Sequence, residues 1–145
     1  MELLSIASGS SGNCYYIGNE ETHLLVDAGV SGKKIETALN EIDRKPSDLN
    51  GILVTHEHID HVKGLGVMAR KHGIPIYTTG GTISEIKKMS SVGTIDDSLF
   101  HEIEPDEPFF INDLSIDASA IWHDAADPVC YSISDGKSKF SIATD

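Results

Sequence analysis

The run "GILVTHEHIDH", residues 51–61, constrains this chain more than any other stretch. Residues 51–55 read as a compact apolar strand, and a helical pattern begins soon after the run ends. Where the buried strand should stop, His56, Glu57, His58, Asp60 and His61 crowd into six positions. The chain has seven histidines, so three of them sit at this one strand end. In an extended segment residues i and i+2 project to the same side, so His56 and His58 can share one metal ion. Imidazole and carboxylate are the usual ligands of zinc and other borderline divalent ions. As the chain turns into the helix, Asp60 and His61 come round to face a second, adjacent position. The bland alternative is a solvated loop with histidines there by chance, and five ligand-capable side chains in six positions argue against it.

The rest of the chain supplies a mixed scaffold for that strand end. "ELLSI", "CYYIG" and "THLLVDAG" are short apolar runs separated by Gly and Asn, the pattern of an antiparallel meander. Ser31 can cap a helix whose apolar face is Ile35, Ala38, Leu39 and Ile42, closed off before Pro46. Leu65, Met68, Ala69 and His72 give the next helical face, with Gly73 as its stop and Pro75 just beyond. "PIYTT" reads as a strand, and Thr82 with Glu85 forms a capping box for a helix through about Met89. From residue 99 onward the strands "LFHEI", "PFFI", "LSIDASAIW", "VCYSIS" and "KFSIATD" follow, with hairpin turns at residues 112–113 and 135–136. Strands, then strand–helix alternation, then strands again: this order predicts one α/β (α+β type) domain over residues 1–145, with mainly antiparallel or mixed sheet and one sheet packed on another.

Composition narrows the function. The net charge is −12, with thirteen acids against four Lys/Arg in residues 73–145. Such a surface repels nucleic acid and anionic membranes except where a metal or a local basic patch intervenes. No apolar run approaches the roughly 20 residues of a membrane helix. The two cysteines, Cys14 and Cys130, form no CxxC pair and read as reduced thiols of a cytoplasmic protein.

The H-x-H-x-D-H cluster resembles the signature of the metallo-beta-lactamase-fold hydrolases, and the likeness extends along the chain. "LLVDAG" (24–29) resembles the first motif of that family, "WHDA" (122–125) its third and "IATD" (142–145) its fourth. "ASGSSGNCYYI" and "HDAADPVCYSI" are most similar to the YycJ/WalJ-type subfamily. The resemblance implies an αββα sandwich, of which this chain looks like the N-terminal portion, since family members continue through a second αβ half. It implies two divalent metal ions, zinc first, with Mn²⁺ or Fe²⁺ as the other options. His56, His58 and His123 would hold one ion and Asp60 and His61 the other, with Asp145 bridging. Asp27 would accept a hydrogen bond from a ligand imidazole. The implied chemistry is hydrolysis by a water held between the ions, with Asp60 also able to take a proton, on a phosphodiester or nucleic-acid substrate in the manner of a DNA exonuclease.

Several readings stay open at this level. The same centre could hydrolyse a thioester, lactone or β-lactam, and a chain lacking the second half could instead be a metal- or partner-binding fragment without turnover. A homo-oligomer could cover a sheet left bare. "SGSSGN", with Ser10, Ser11, Gly12 and Asn13, is either a plain hairpin turn or a small nest that meets a substrate phosphate. Asp124, beside His123, either transfers protons or caps a turn. His23, His72 and His101 lie outside any ligand spacing and read as ordinary surface or helix-end residues.

Overall fold

Strand β3 (His23–Val26) is buried along its whole length, which requires cover on both faces. Alternation sends its side chains to different cores. Leu25 joins Tyr16, Ile52 and Ile76 in a cluster completed by helix residues such as Ile35, Leu39, Leu65 and Met68. Leu24 and Val26 join Ile17 and Leu53 in a second cluster with Ile116, Val129, Tyr131 and Ile133. One sheet therefore carries helices on one face and a second sheet on the other. At roughly 1.5–3 kcal/mol for each large apolar side chain fully buried, these two clusters are what hold the strand ends in place.

The computed structural model describes residues 1–143. The first sheet has six strands in chain order: β1 (Glu2–Ala7), β2 (Cys14–Gly18), β3, β4 (Gly51–Leu53), β5 (Ile76–Thr78) and β6 (Phe100–Glu102). The β1–β2 and β2–β3 pairs are antiparallel, as the meander predicts, and β3 to β6 run parallel. Parallel neighbours need crossovers, and these are α1 (Gly32–Glu41), α2 (Ile59–Val62), α3 (Leu65–His72) and α4 (Gly80–Lys87). The second sheet is antiparallel in the order β10 (Lys139–Ile142), β9 (Val129–Ser134), β8 (Leu114–Ala120), β7 (Phe109–Ile111). Leu114, Ile116 and Ala118 of β8 point into the inter-sheet core while Ser115 and Asp117 face away from it. The fold is the mixed α/β, sheet-on-sheet architecture that the element order implies.

Local signals held at α1, where the Ser31 side chain accepts from the Lys34 N–H, and at α3, which ends on Gly73 in the left-handed conformation (φ 65°). Four expectations need correction. Helix α4 starts three residues early, with Thr79 rather than Thr82 as its N-cap. Strand β8 stops at Ala120, so Ile121 and Trp122 lie outside it, and β4 stops at Leu53 rather than at Thr55. His23 is not a surface residue: it is buried, its Nδ1 2.8 Å from the Tyr16 hydroxyl.

Candidate metal centre

Strand β4 delivers the cluster to the C-terminal edge of the parallel strands, where ligand sites of such sheets gather. Its neighbour β3 ends one residue before Asp27, which adopts φ 63°, a left-handed conformation that Asp tolerates better than most residues. That turn aims the Asp27 carboxylate under the cluster. Asp27 is fully buried and its oxygens face three donors: the Thr55 N–H at 2.8 Å, the Thr55 hydroxyl at 2.8 Å and His61 Nδ1 at 2.6 Å. Burial pushes its carboxyl above the ordinary range, while the His61 imidazole and the two Thr55 donors pull the other way.

The hydrogen-bond chain fixes where the imidazole protons are. Thr55 has one hydroxyl proton and gives it to Asp27. Its oxygen, 2.9 Å from His56 Nδ1, must then accept, so His56 carries its proton on Nδ1 and presents a bare Nε2. His61 donates from Nδ1 to Asp27 and likewise keeps its lone pair on Nε2. Burial, with repulsion from the neighbouring His61, His58 and His123, pushes the His56 pKa down to about 3. The ring is neutral at pH 7, the state a metal ligand needs.

His123 arrives from the loop between β8 and β9. One nitrogen from each of His56, His58 and His123 lies within 4.8 Å of the others, and the ring centroids stand 4.6–5.0 Å apart. Nε2 of His56 and Nε2 of His123 are buried and have no hydrogen-bond partner among the described residues. An orphaned buried polar atom is costly. Two of them converging with a third imidazole fit a divalent ion. Beside them, His61 Nε2 and Asp60 Oδ2 lie 3.5 Å apart, and the His56 and His61 rings are 4.0 Å centroid to centroid. The predicted partner of that second pair, Asp145, lies outside the described residues.

The "SGSSGN" segment is more than a hairpin turn. Asn13 is buried, its Nδ2 reaching the Asp60 side chain at 3.3 Å and His61 Nε2 at 3.3 Å, while its backbone N–H donates to the Asp60 carbonyl at 2.7 Å. Gly29 lets this happen: a Cβ there would stand 1.8 Å from the Asp60 carbonyl oxygen. The backbone N–H groups of Gly9, Gly12 and Asn13 are spent on Asn13 Oδ1, the Gly9 carbonyl and the Asp60 carbonyl. That weakens the phosphate-nest reading and leaves Ser10 and Ser11 as exposed hydroxyls on the rim. Asp124 is exposed, without a side-chain partner among the described residues.

Two roles are not read from the sequence. Thr55 reads in the sequence only as the end of a strand, and its signal is its place directly before the first histidine. Glu57 accepts a hydrogen bond from the Ala126 N–H at 3.0 Å, tying the cluster to the loop that carries His123. A Glu between two histidines is the only trace of that role in the sequence.

The model of the metallo-beta-lactamase superfamily matches residues 7–145. Exodeoxyribonuclease WalJ of Streptococcus pneumoniae is 42% identical over 140 residues, which is 97% of this chain and 52% of that protein. Exodeoxyribonuclease YycJ of Bacillus anthracis is 38% identical over the same shares. The chain thus spans about half the length of these relatives. A metallo-beta-lactamase of Cronobacter sakazakii superposes with a TM-score of 0.80 at 13% identity, over 97% of this chain and 60% of its own, a likeness of fold alone.

Proposed function

This chain belongs to the metallo-beta-lactamase superfamily, and from that premise we propose that it forms the metal-binding half of a phosphodiesterase acting on DNA, of the exodeoxyribonuclease type. The hydrolase class follows from the family. The nuclease reading is supported by 38–42% identity, across nearly the whole chain, to two proteins named as exodeoxyribonucleases. The observation that carries the catalytic part is the pair of orphaned Nε2 atoms on His56 and His123. His56, His58 and His123 would hold one divalent ion, zinc by the all-imidazole donor set. His61, Asp60 and Asp145 would hold a second. Such ions supply Lewis acidity toward a phosphoryl oxygen and bring a water's pKa near neutrality.

The chain's own residues do the remaining work. Asp27 holds His61 directly and His56 through Thr55, so both rings keep the tautomer a ligand needs. Asn13 fixes the Asp60 carboxylate beside His61. Asp60, half-exposed at the mouth of the site, accepts the proton of the attacking water. Trp122, fully exposed next to His123, offers a face on which a nucleobase can stack. No helix among the described residues is long and apolar enough to cross a membrane. Two free cysteines accord with a reducing, cytoplasmic setting.

The test is turnover of a labelled oligodeoxynucleotide, bis(p-nitrophenyl) phosphate, nitrocefin and a thioester, each with Zn²⁺ or Mn²⁺, by wild type and His58→Ala. Cleavage of the two phosphodiesters alone, lost in the variant, is expected. Turnover of a carbonyl substrate in preference to both diesters would refute the nuclease reading, and binding of metal with no turnover of any substrate would make the chain a metal-binding fragment.

A further inference from the structure

Beside Asp60 opens a cleft of about 480 Å³ that the chemistry above leaves unused. Its walls include Ser10 and Ser11 from the first loop, Ile59, Asp60 and Lys63 from α2 and its end, and Ser91 from the segment after α4. Three properties suit it to a nucleotide on a chain of net charge −12. Lys63 is exposed and makes no ion pair or side-chain hydrogen bond among the described residues, although the chain carries 23 carboxylates. Ser10, Ser11 and Ser91 are exposed hydroxyls that likewise have no side-chain partner among the described residues. Ile59 stands 48% exposed beside them, an apolar patch on the same surface as the cation. A cation with several hydroxyl donors suits a phosphate, and an apolar neighbour suits a sugar or base edge.

The cleft is rigidly placed relative to the metal centre. Asp60 and Lys63 lie three residues apart across one helical turn, so their side chains share a face. The Ser10–Ser11 tip is anchored by Asn13, which binds both the backbone and the side chain of Asp60. A strand whose scissile phosphate sits at the histidines passes Asp60 and meets Lys63 one helical turn further on.

We propose that the cleft formed by Lys63, Ser10, Ser11, Ser91 and Ile59 binds the nucleotide next to the scissile phosphodiester, with Lys63 taking its phosphate. This rests on the nuclease reading, and two measurements separate the fates of the two. The first is KM for a single-stranded oligodeoxynucleotide and for bis(p-nitrophenyl) phosphate, which has no neighbouring nucleotide. Lys63→Ala is expected to raise the oligonucleotide KM about tenfold relative to that of the small diester, as loss of one charge-assisted contact implies, and Lys63→Arg to restore it. The second is oligonucleotide affinity by fluorescence anisotropy in EDTA across a salt series. The slope of log K against log salt should flatten by about 0.7 in Lys63→Ala, the contribution of one phosphate contact on a single strand. An equal rise of both KM values, or an unchanged slope, overturns the cleft. If wild type cleaves neither diester the nuclease reading falls by itself, and equal oligonucleotide affinity of wild type and Lys63→Ala then overturns the cleft as well.

Discussion

Replacing Thr55 by Val tests the proton arrangement on which the metal centre depends. Val fills nearly the same volume, so no cavity opens, and only the hydroxyl is lost. That hydroxyl donates to the buried Asp27 at 2.8 Å and receives His56 Nδ1–H at 2.9 Å. Losing a hydrogen bond to a buried carboxylate costs about 1.5–3 kcal/mol, and stranding a buried N–H costs about 1–3 kcal/mol. The two share one atom and do not simply add, so a loss of about 2–4 kcal/mol in unfolding free energy is expected. The metal suffers separately. Without its acceptor the His56 proton can move to Nε2, which removes the lone pair aimed at the ion, and affinity should fall about 10–100-fold. Competition with a chromogenic chelator reads the affinity and urea unfolding reads the stability. Thr55→Ser keeps the hydroxyl and should stay near wild type in both. Wild-type affinity in Thr55→Val would refute the idea that Thr55 sets the His56 tautomer, whatever happened to the stability.

Gly29→Ala places a Cβ 1.8 Å from the Asp60 carbonyl oxygen, a backbone atom that cannot swing aside; metal content measured by mass spectrometry should drop, with a stability loss of about 1–3 kcal/mol. Glu57→Ala frees the Ala126 N–H and loosens the His123 loop, so metal affinity should weaken about tenfold, while Glu57→Gln, which still offers an acceptor, should restore most of it. The pH dependence of folding should carry a signature of His23. Burial, with the Arg44 charge beside it, lowers its pKa below 6.5 in the folded chain, so the unfolded state binds more protons as the medium acidifies. Its contribution is fully present above pH 6.5 and is lost as pH falls through the folded pKa; in His23→Gln the difference between urea midpoints at about pH 7.5 and about pH 5.5 should shrink.

Much of the fold was legible because local and tertiary demands agree along most of the chain. Ile35 and Leu39 point to the core in both the periodicity and the structure, and Ser31 and Gly73 close their helices as their chemistry predicts. Disagreement came where a distant segment overrode the local signal. At the start of α4, the T-x-x-E pattern of Thr82 and Glu85 predicts a helix capped at Thr82, whereas the helix begins at Gly80. Glycine in this first turn keeps a close approach open: a Cβ on Gly81 would stand 2.7 Å from the Asp127 Cβ. The Thr79 and Thr82 hydroxyls are bonded to each other and to the Asp127 carbonyl, which lies 48 and 45 residues away from them. His23 is a different case, because its partner Tyr16 is near in sequence, seven residues away on the adjacent strand. The meander pattern pairs the two strands but does not show that the Tyr16 and His23 side chains turn inward together.

The candidate site divides along the same line. Ligand types and spacing are local properties of residues 55–61, so the cluster stood out at once, and likeness to known motifs was needed to bring His123 and Asp27 to it. What makes the imidazoles usable as ligands is not local. The proton on His56 is decided by a hydroxyl one residue away and a carboxylate 28 residues from that hydroxyl, meeting because β3 and β4 pair in parallel with Val26 beside Leu53. A one-residue slip in that register would carry Asp27 away from the Thr55 N–H and hydroxyl and leave His56 free to take either tautomer. The strand pairing therefore selects a protonation state, and a substitution that shifts the β3–β4 register without touching any ligand should weaken metal binding as Thr55→Val does.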